Sequence, residues 1–286
     1  RKEKGHRTAA GEAENADLEE AAQEAIRQGA DLLICPELVL CGYPPMDLLE
    51  RDGIVESQLE ELQNLRASSE NVAIALGIAS SADRRGPQRL NNSAVLLASG
   101  RVAGKQAKTL LPTYDVFDEA RYFEPGEEML VVEHRGIKVA VTICEDIWND
   151  EVFLHDRRYA LRPAEQLAGA GAELLLNLSA SPWCLGKEHS RHVLLSQLSA
   201  KCSCPLAYCN LVGGNDELVF DGGSQYYNGH GVLGASGAMF GEDLLLIDTE
   251  TIEPKSSDTS DDYEKIFRAL SPVSYTHLTL PPNREV

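Results

Sequence analysis

Two stretches of this sequence share one local grammar, and together they restrict the fold more than any other feature. "DLEEAAQEAIRQG" (residues 17–29) runs into "ADLLICPE", and "PAEQLAGAG" (residues 163–171) runs into "AELLLNLSAS". Each begins with apolar residues at helical spacing, reaches a glycine, and continues within a few residues as a short apolar run. In the first, Leu18, Ala22, Ala25 and Ile26 fall on one helical face, Asp17 is placed to cap the start, and Gly29 to end it. A helix feeding a buried strand through a tight turn, found twice, predicts a layered α/β fold with quasi-repeated halves. Further strands are expected at 72–79, 94–98, 130–133, 138–143, 174–178 and 206–211, with a last one in "GEDLLLIDTE" (241–250). A helix is expected over 188–201, with Val193, Leu194, Gln197 and Leu198 on one side.

The chain's 286 residues suffice for one large domain or two small ones with a substantial core. A net charge of −19 opposes binding to nucleic acid or to an anionic membrane, and is equally the charge of a very soluble protein. No apolar run approaches the roughly 20 residues needed to span a bilayer. The opening "RKEKGHRTAAGEAENADLEEA" lacks the apolar segment of a secretion signal. Seven cysteines leave one unpaired under any disulfide scheme, which with the missing export signal favours a reducing cytoplasm. Cys202, Cys204 and Cys209 lack the spacing of a zinc site and read as core or surface thiols.

Several expected strands stop at chemically capable residues: Glu37 after one, Cys144 after another, Ser181 and Lys187 after a third. In α/β proteins, loops beyond strand ends are where sites collect. Cys144 in "VAVTICEDIW" has two readings, an inert small hydrophobe or a nucleophile. It lies where the strand stops, it precedes two acids, and Trp148 is placed to wall a pocket. A nucleophilic thiol needs a base and a partner for the oxyanion it creates. His189 and His192, flanking Arg191, read as solvated or capping groups, so a Cys–His dyad does not follow. Glu37 is the better base, because a carboxylate at the end of an apolar strand loses hydration and accepts a proton more readily. Lys108 in "KQAKTLLP" reads either as a solvated lysine or as a fixed cation for an oxyanion.

Set in their flanks, these residues carry a resemblance. Glu37 in "GADLLICPELVLCGYPPMDLL", Lys108 in "KTLLPTYDVFDEARYFEPG" and Cys144 in "VAVTICEDIW" resemble the Glu–Lys–Cys triad of the nitrilase superfamily. "GYPPMDLL", "YDVFDEARYFEPG", "SPWCLGK" and "GGNDELVFDGGS" are similar to blocks of the N-terminal glutaminase domain of glutamine-dependent NAD synthetases, from about Asp17 to Thr249. The resemblance implies a four-layer α-β-β-α sandwich that hydrolyses the side-chain amide of glutamine. It implies Glu37 as general base, Lys108 as oxyanion support and Cys144 as nucleophile, with Tyr114, Ser181 and Lys187 contacting the substrate. "DGGS" (221–224) matches a family block and is equally a tight turn; it is read as structural.

The same resemblance sets expectations for the termini. Residues 1–16 lack the apolar first strand of such domains, 17–250 form the hydrolase domain, and 251–271 form a linker and, in "YEKIFRAL", the opening of a synthetase domain. Residues 272–286, ending "PVSYTHLTLPPNREV", resemble translated sequencing adapter. No cofactor is expected for the hydrolase domain itself; ATP, deamido-NAD and magnesium would belong to a synthetase domain absent here. Glutamine as substrate, that synthetase domain as partner and a homo-oligomeric assembly are implied, and no nucleic-acid or membrane partner. The rivals are a stand-alone amidase acting on another amide, nitrile or carbamoyl group, and a non-catalytic assembly module with a vestigial triad.

Overall fold

The first helix–strand pair forms as its pattern requires. Helix α1 (Ala9–Arg27) buries Leu18, Ala22 and Ala25, turns at Gly29 (φ +74°) and enters strand β1 (Leu32–Ile34). These elements come from a computed structural model that describes residues 9–82, 90–149, 159–249 and 260–278. A second helix, α2 (Ile54–Ser68), was not anticipated from the sequence; Leu62, Leu65 and the amide of Gln58 make up its buried face. Gln58 sits there because its side-chain oxygen accepts the N–H of Ala79 at 2.9 Å.

Strands β2 (Ala73–Ser81), β3 (Leu90–Ala98) and β4 (Arg101–Ala107) complete the first sheet in the order β1-β2-β3-β4, with only the β1–β2 pair parallel. The second sheet is built from β5 (Val131–His134), β6 (Ile137–Ile143), β7 (Leu174–Ser179) and β8 (Leu206–Asn210), joined by β11 (Gln225–Tyr227) and β12 (Leu233–Ser236). Between β8 and β11, β9 (Val212–Asn215) and β10 (Leu218–Asp221) make a separate hairpin. The run β6-β7-β8 is parallel, its crossovers carrying α3 (Pro163–Gly169) and α4 (Lys187–Cys202).

Period-two alternation distributes the side chains over three apolar interfaces. Ile74, Leu76 and Ile78 of β2 pack with α1 and α2, whereas Ala73 and Ala75 face the second sheet together with Ala94, Leu96, Val139, Val141, Leu176 and Leu178. On that sheet's other face, Ala140, Leu175 and Leu206 pack with Leu167 of α3 and Leu194, Leu195 and Leu198 of α4. Helix, sheet, sheet, helix: the chain is the expected α-β-β-α sandwich.

Three readings shift. The buried face of α4 is Arg191, Leu194, Leu195 and Leu198, while Gln197 is exposed and Val193 half-buried, because Arg191 is drawn inward by a buried aspartate described below. Residues 241–249 form no strand; Leu245 and Ile247 pack on the inter-sheet cluster without joining a ladder. Helix α5 (Asp262–Leu278) runs unbroken across the expected boundary at 272 and is tied to α4 by a 2.7 Å ion pair between Lys265 and Glu188. Residues 1–8, 251–259 and 279–286, on which parts of the terminal expectations fall, lie outside the described residues.

Candidate active site

Glu37 lies just past β1, where pairing with β2 continues: Cys35 donates to Ala75 O at 2.8 Å and Gly77 donates to Pro36 O at 3.1 Å. The approach needs a glycine. A Cβ on Gly77 would sit 2.2 Å from Leu38 N and 2.7 Å from Glu37 Cα, both rigid backbone atoms. Gly77→Ala is therefore expected to push the Glu37 segment off the sheet and cost about 1–3 kcal/mol, with hydrolysis falling further than stability. Denaturant midpoints and amide-hydrolysis rates on the same samples check this.

The carboxylate of Glu37 is fully buried and fully bonded. Lys108 Nζ donates to its Oε1 at 2.8 Å, Asn92 Nδ2 to the same oxygen at 2.7 Å, and the Ala180 backbone N–H to Oε2 at 3.0 Å. Lys108 follows β4 as Glu37 follows β1, and its N–H continues the ladder by donating to Asn92 O at 2.8 Å. A second carboxylate, Glu119, accepts from Lys108 Nζ at 2.6 Å and from the hydroxyl of Tyr43 at 2.9 Å. Burial alone would lower Lys108, but Glu119 and Glu37 more than reverse this and hold its ammonium well above the usual lysine range. Burial pushes the Glu119 carboxyl up and Glu37 adds to the shift, against the pull of Lys108. One cation between two buried acids leaves Glu119 inclined to keep a proton. A cavity of about 190 Å³ reaches Glu119 and Tyr43.

Cys144 ends β6 and opens a 3₁₀ turn (Cys144–Ile147) in a left-handed conformation, φ +38°, unusual for a residue with a side chain. Asp146 ties this turn to the lysine segment: its Oδ1 accepts the N–H groups of Thr109 (3.0 Å) and Leu110 (2.8 Å), and its Oδ2 that of Ile143 (2.9 Å). One buried carboxylate thus holds the residues beside Lys108 and the residue before Cys144 at fixed separation. Burial pushes the Cys144 thiol far up, Glu37 adds to this and Lys108 opposes it, so the resting sulfur is protonated. The ultraviolet thiolate absorbance of the wild type minus that of Cys144→Ser should accordingly stay flat from about pH 6 to 9. A step in that difference would mean an ion-paired thiolate.

The three expected substrate residues each lie against segments that flank the candidate triad residues. The Tyr114 hydroxyl donates to Glu145, next to the cysteine, at 2.8 Å. Ser181 follows Ala180, whose N–H holds Glu37, and it is buried. Lys187 Nζ donates to Pro182 O at 2.7 Å and lies 5.5 Å from the ring centroid of Trp148. Burial lowers its ammonium below the usual lysine range. Asn92, Glu119, Tyr43 and Asp146 were not singled out from the sequence. The available signal was a polar run, "NNS" (91–93), inside an otherwise apolar strand.

A buried carboxylate, lysine and thiol stand at the ends of strands from both sheets, and the chain belongs to the carbon-nitrogen hydrolase family, whose model matches residues 7–251. Among particular proteins, it is 45% identical over 240 residues to a glutamine-dependent NAD(+) synthetase of Synechocystis sp., covering 82% of this chain and 43% of that protein. It is 40% identical over 237 residues to the Thermotoga maritima protein of the same name, covering 82% of this chain and 38% of that protein. The chain thus spans less than half the length of these relatives. The structure of glutamine-dependent NAD+ synthetase from Acinetobacter baumannii in complex with ADP superposes with a TM-score of 0.80 at 32% identity, over 93% of this chain and 49% of that one. An amidase from Nesterenkonia sp. AN1, seen with acrylamide added at its active-site cysteine, superposes with a TM-score of 0.67 at 25% identity, over 80% of this chain and 84% of that one.

Proposed function

We propose that this chain is a glutamine amidohydrolase domain that releases ammonia for a synthetase domain making NAD from deamido-NAD. The observation that carries the reading is the 2.8 Å ion pair of Glu37 and Lys108, both buried, together with a buried Cys144 at the end of a neighbouring strand. In the reaction, Glu37 takes the thiol proton as the sulfur of Cys144 attacks the carboxamide carbon. The tetrahedral oxyanion is held by the Lys108 ammonium and a backbone N–H beside the cysteine. Glu37 returns the proton to nitrogen, the C–N bond breaks and ammonia leaves a γ-glutamyl thioester on Cys144. Water then gives a proton to Glu37 and adds to the thioester; the C–S bond breaks, the sulfur is reprotonated and glutamate departs.

The amino-acid end of glutamine suits the rest of the pocket. Lys187, a cation beside an aromatic ring, fits an α-carboxylate, and Ser181 offers a hydroxyl next to it. Glu145, with the Tyr114 hydroxyl on it, fits an α-ammonium. ATP, deamido-NAD and magnesium belong to the synthetase half. Homo-oligomeric assembly and a cytoplasmic setting complete the proposal; among the described residues no helix is long and apolar enough to cross a membrane.

The likeness to the Nesterenkonia amidase favours one second reading, hydrolysis of a simple amide. Ammonia release from glutamine, acetamide, propionamide and a carbamoyl compound at matched concentrations decides. Glutamine is expected to lead by roughly 100-fold or more, the value of a site built for two charged groups. Preference for an aliphatic amide would select the second reading.

A further inference from the structure

Arg191 and Asp221 are buried, and they meet side-on: Nη1 donates to Oδ1 at 2.9 Å and Nη2 to Oδ2 at 2.6 Å. Such a pair gains little stability over apolar side chains of the same volume, so its presence in the core face of α4 calls for a positional reason. The pair closes on Asn210. Its Nδ2 donates to Asp221 Oδ1 and to Gly222 O, each at 3.0 Å, so both donor hydrogens are used. That leaves its Oδ1 fixed and aimed at one group, the backbone N–H of Ser181, at 2.9 Å. The reverse amide orientation would set donor against donor there.

The same pair holds Lys187. Arg191 stands four residues after it, one turn along α4, so anchoring the guanidinium on Asp221 fixes the helix start that carries the lysine. The intervening loop is clasped to the same hairpin: Trp183 N–H donates to Val219 O at 2.7 Å and Pro182 bridges Phe220. The glycines of "DGGS" make room for this arrangement. Gly223 has φ +61°, and a Cβ on it would lie 3.2 Å from Arg191 Nη2. None of Asn210, Asp221 and Arg191 hydrogen-bonds Glu37, Lys108 or Cys144.

We propose that Asn210, locked by the Asp221–Arg191 pair, is a positioning residue that sets Ser181 and Lys187 against the amino-acid end of the substrate. It thereby governs discrimination between glutamine and unsubstituted amides, without a part in the bond-breaking steps. The inference rests on the glutamine reading above. The test compares second-order rates of Cys144 modification by two electrophiles in the full chain: a diazo-ketone analogue of glutamine and neutral chloroacetamide. Asn210→Ala is expected to slow the diazo ketone roughly 10- to 100-fold, the effect of losing one buried backbone hydrogen bond and its alignment, with chloroacetamide unchanged within about twofold. Arg191→Lys, which keeps the charge but loses the fork, should slow the diazo ketone by a smaller factor and gives the same readout if Asn210→Ala fails to fold. Equal slowing of both electrophiles, or slowing of neither, overturns the proposal while leaving the glutamine reading intact. A wild type with no preference for the diazo ketone rejects the glutamine reading and this inference with it.

Discussion

Glu37→Gln is expected to lower kcat for amide hydrolysis by roughly 10³-fold, within the range for removing a positioned general base. Glutamine keeps the size of the side chain and one oxygen, which in the Oε1 position still accepts from Lys108 and Asn92, while its NH2 replaces the oxygen that faced the Ala180 N–H. What it loses is the ability to receive the thiol proton and hand it to the departing nitrogen. No bypass exists at neutral pH, because burial keeps Cys144 protonated. The chain should stay folded, since the buried amide retains partners, and near-ultraviolet circular dichroism will show it. A variant retaining more than a tenth of wild-type kcat would mean that another group activates the sulfur.

Lys108→Met should damage both folding and chemistry. In the wild type, the lysine is the cation between Glu37 and Glu119, at 2.8 and 2.6 Å. Without it, two buried carboxylates face each other unpaired, a change that costs about 3–5 kcal/mol when one member of a buried ion pair is removed. The pH dependence has a definite sign. Burial and Glu37 already raise the Glu119 carboxyl, and losing Lys108 removes the main opposing pull, so its folded-state value rises further. A carboxyl raised on folding holds its proton more tightly in the native state. Its stability contribution is then complete below the ordinary carboxylate value of about 4 and fades as pH rises through the folded value. Lys108→Met should accordingly melt higher at pH 5 than at pH 8, by a wider margin than the wild type. Turnover should fall by at least ~10²-fold even where the variant is folded, since the oxyanion loses its charged partner.

Glu37, Lys108 and Cys144 stood out as candidates because Glu37 and Cys144 stop apolar strands and Lys108 precedes a short apolar run ended by a proline, but only the family resemblance joined them. The layered α/β architecture was legible because its two helix–strand units are local in sequence, whereas the four-layer sandwich came only with the family resemblance. What stayed hidden depends on distant partners. Arg191 was given no role from the sequence; its buried partner Asp221 lies thirty residues on, and that pairing turns the buried face of α4 away from the one expected. Strand β3 was read from Ala94 because Asn91, Asn92 and Ser93 are polar, yet all three are buried and Asn92 donates to the Glu37 carboxylate. Glu119 lay inside a quoted block without a role, since nothing local tells a buried second acid from a surface one. The segment 241–249 failed in the opposite sense: it carries a strand's apolar run but joins no ladder.

The account stands or falls on acyl transfer to one sulfur. The direct measurement is rapid acid quenching during glutamine turnover, followed by intact mass and peptide mapping, with Cys144→Ala run in parallel. A γ-glutamyl group on the peptide containing Cys144, absent from the variant together with ammonia release, is the predicted result. Ammonia from the variant at the wild-type rate, or an acyl group on any other cysteine, would contradict it.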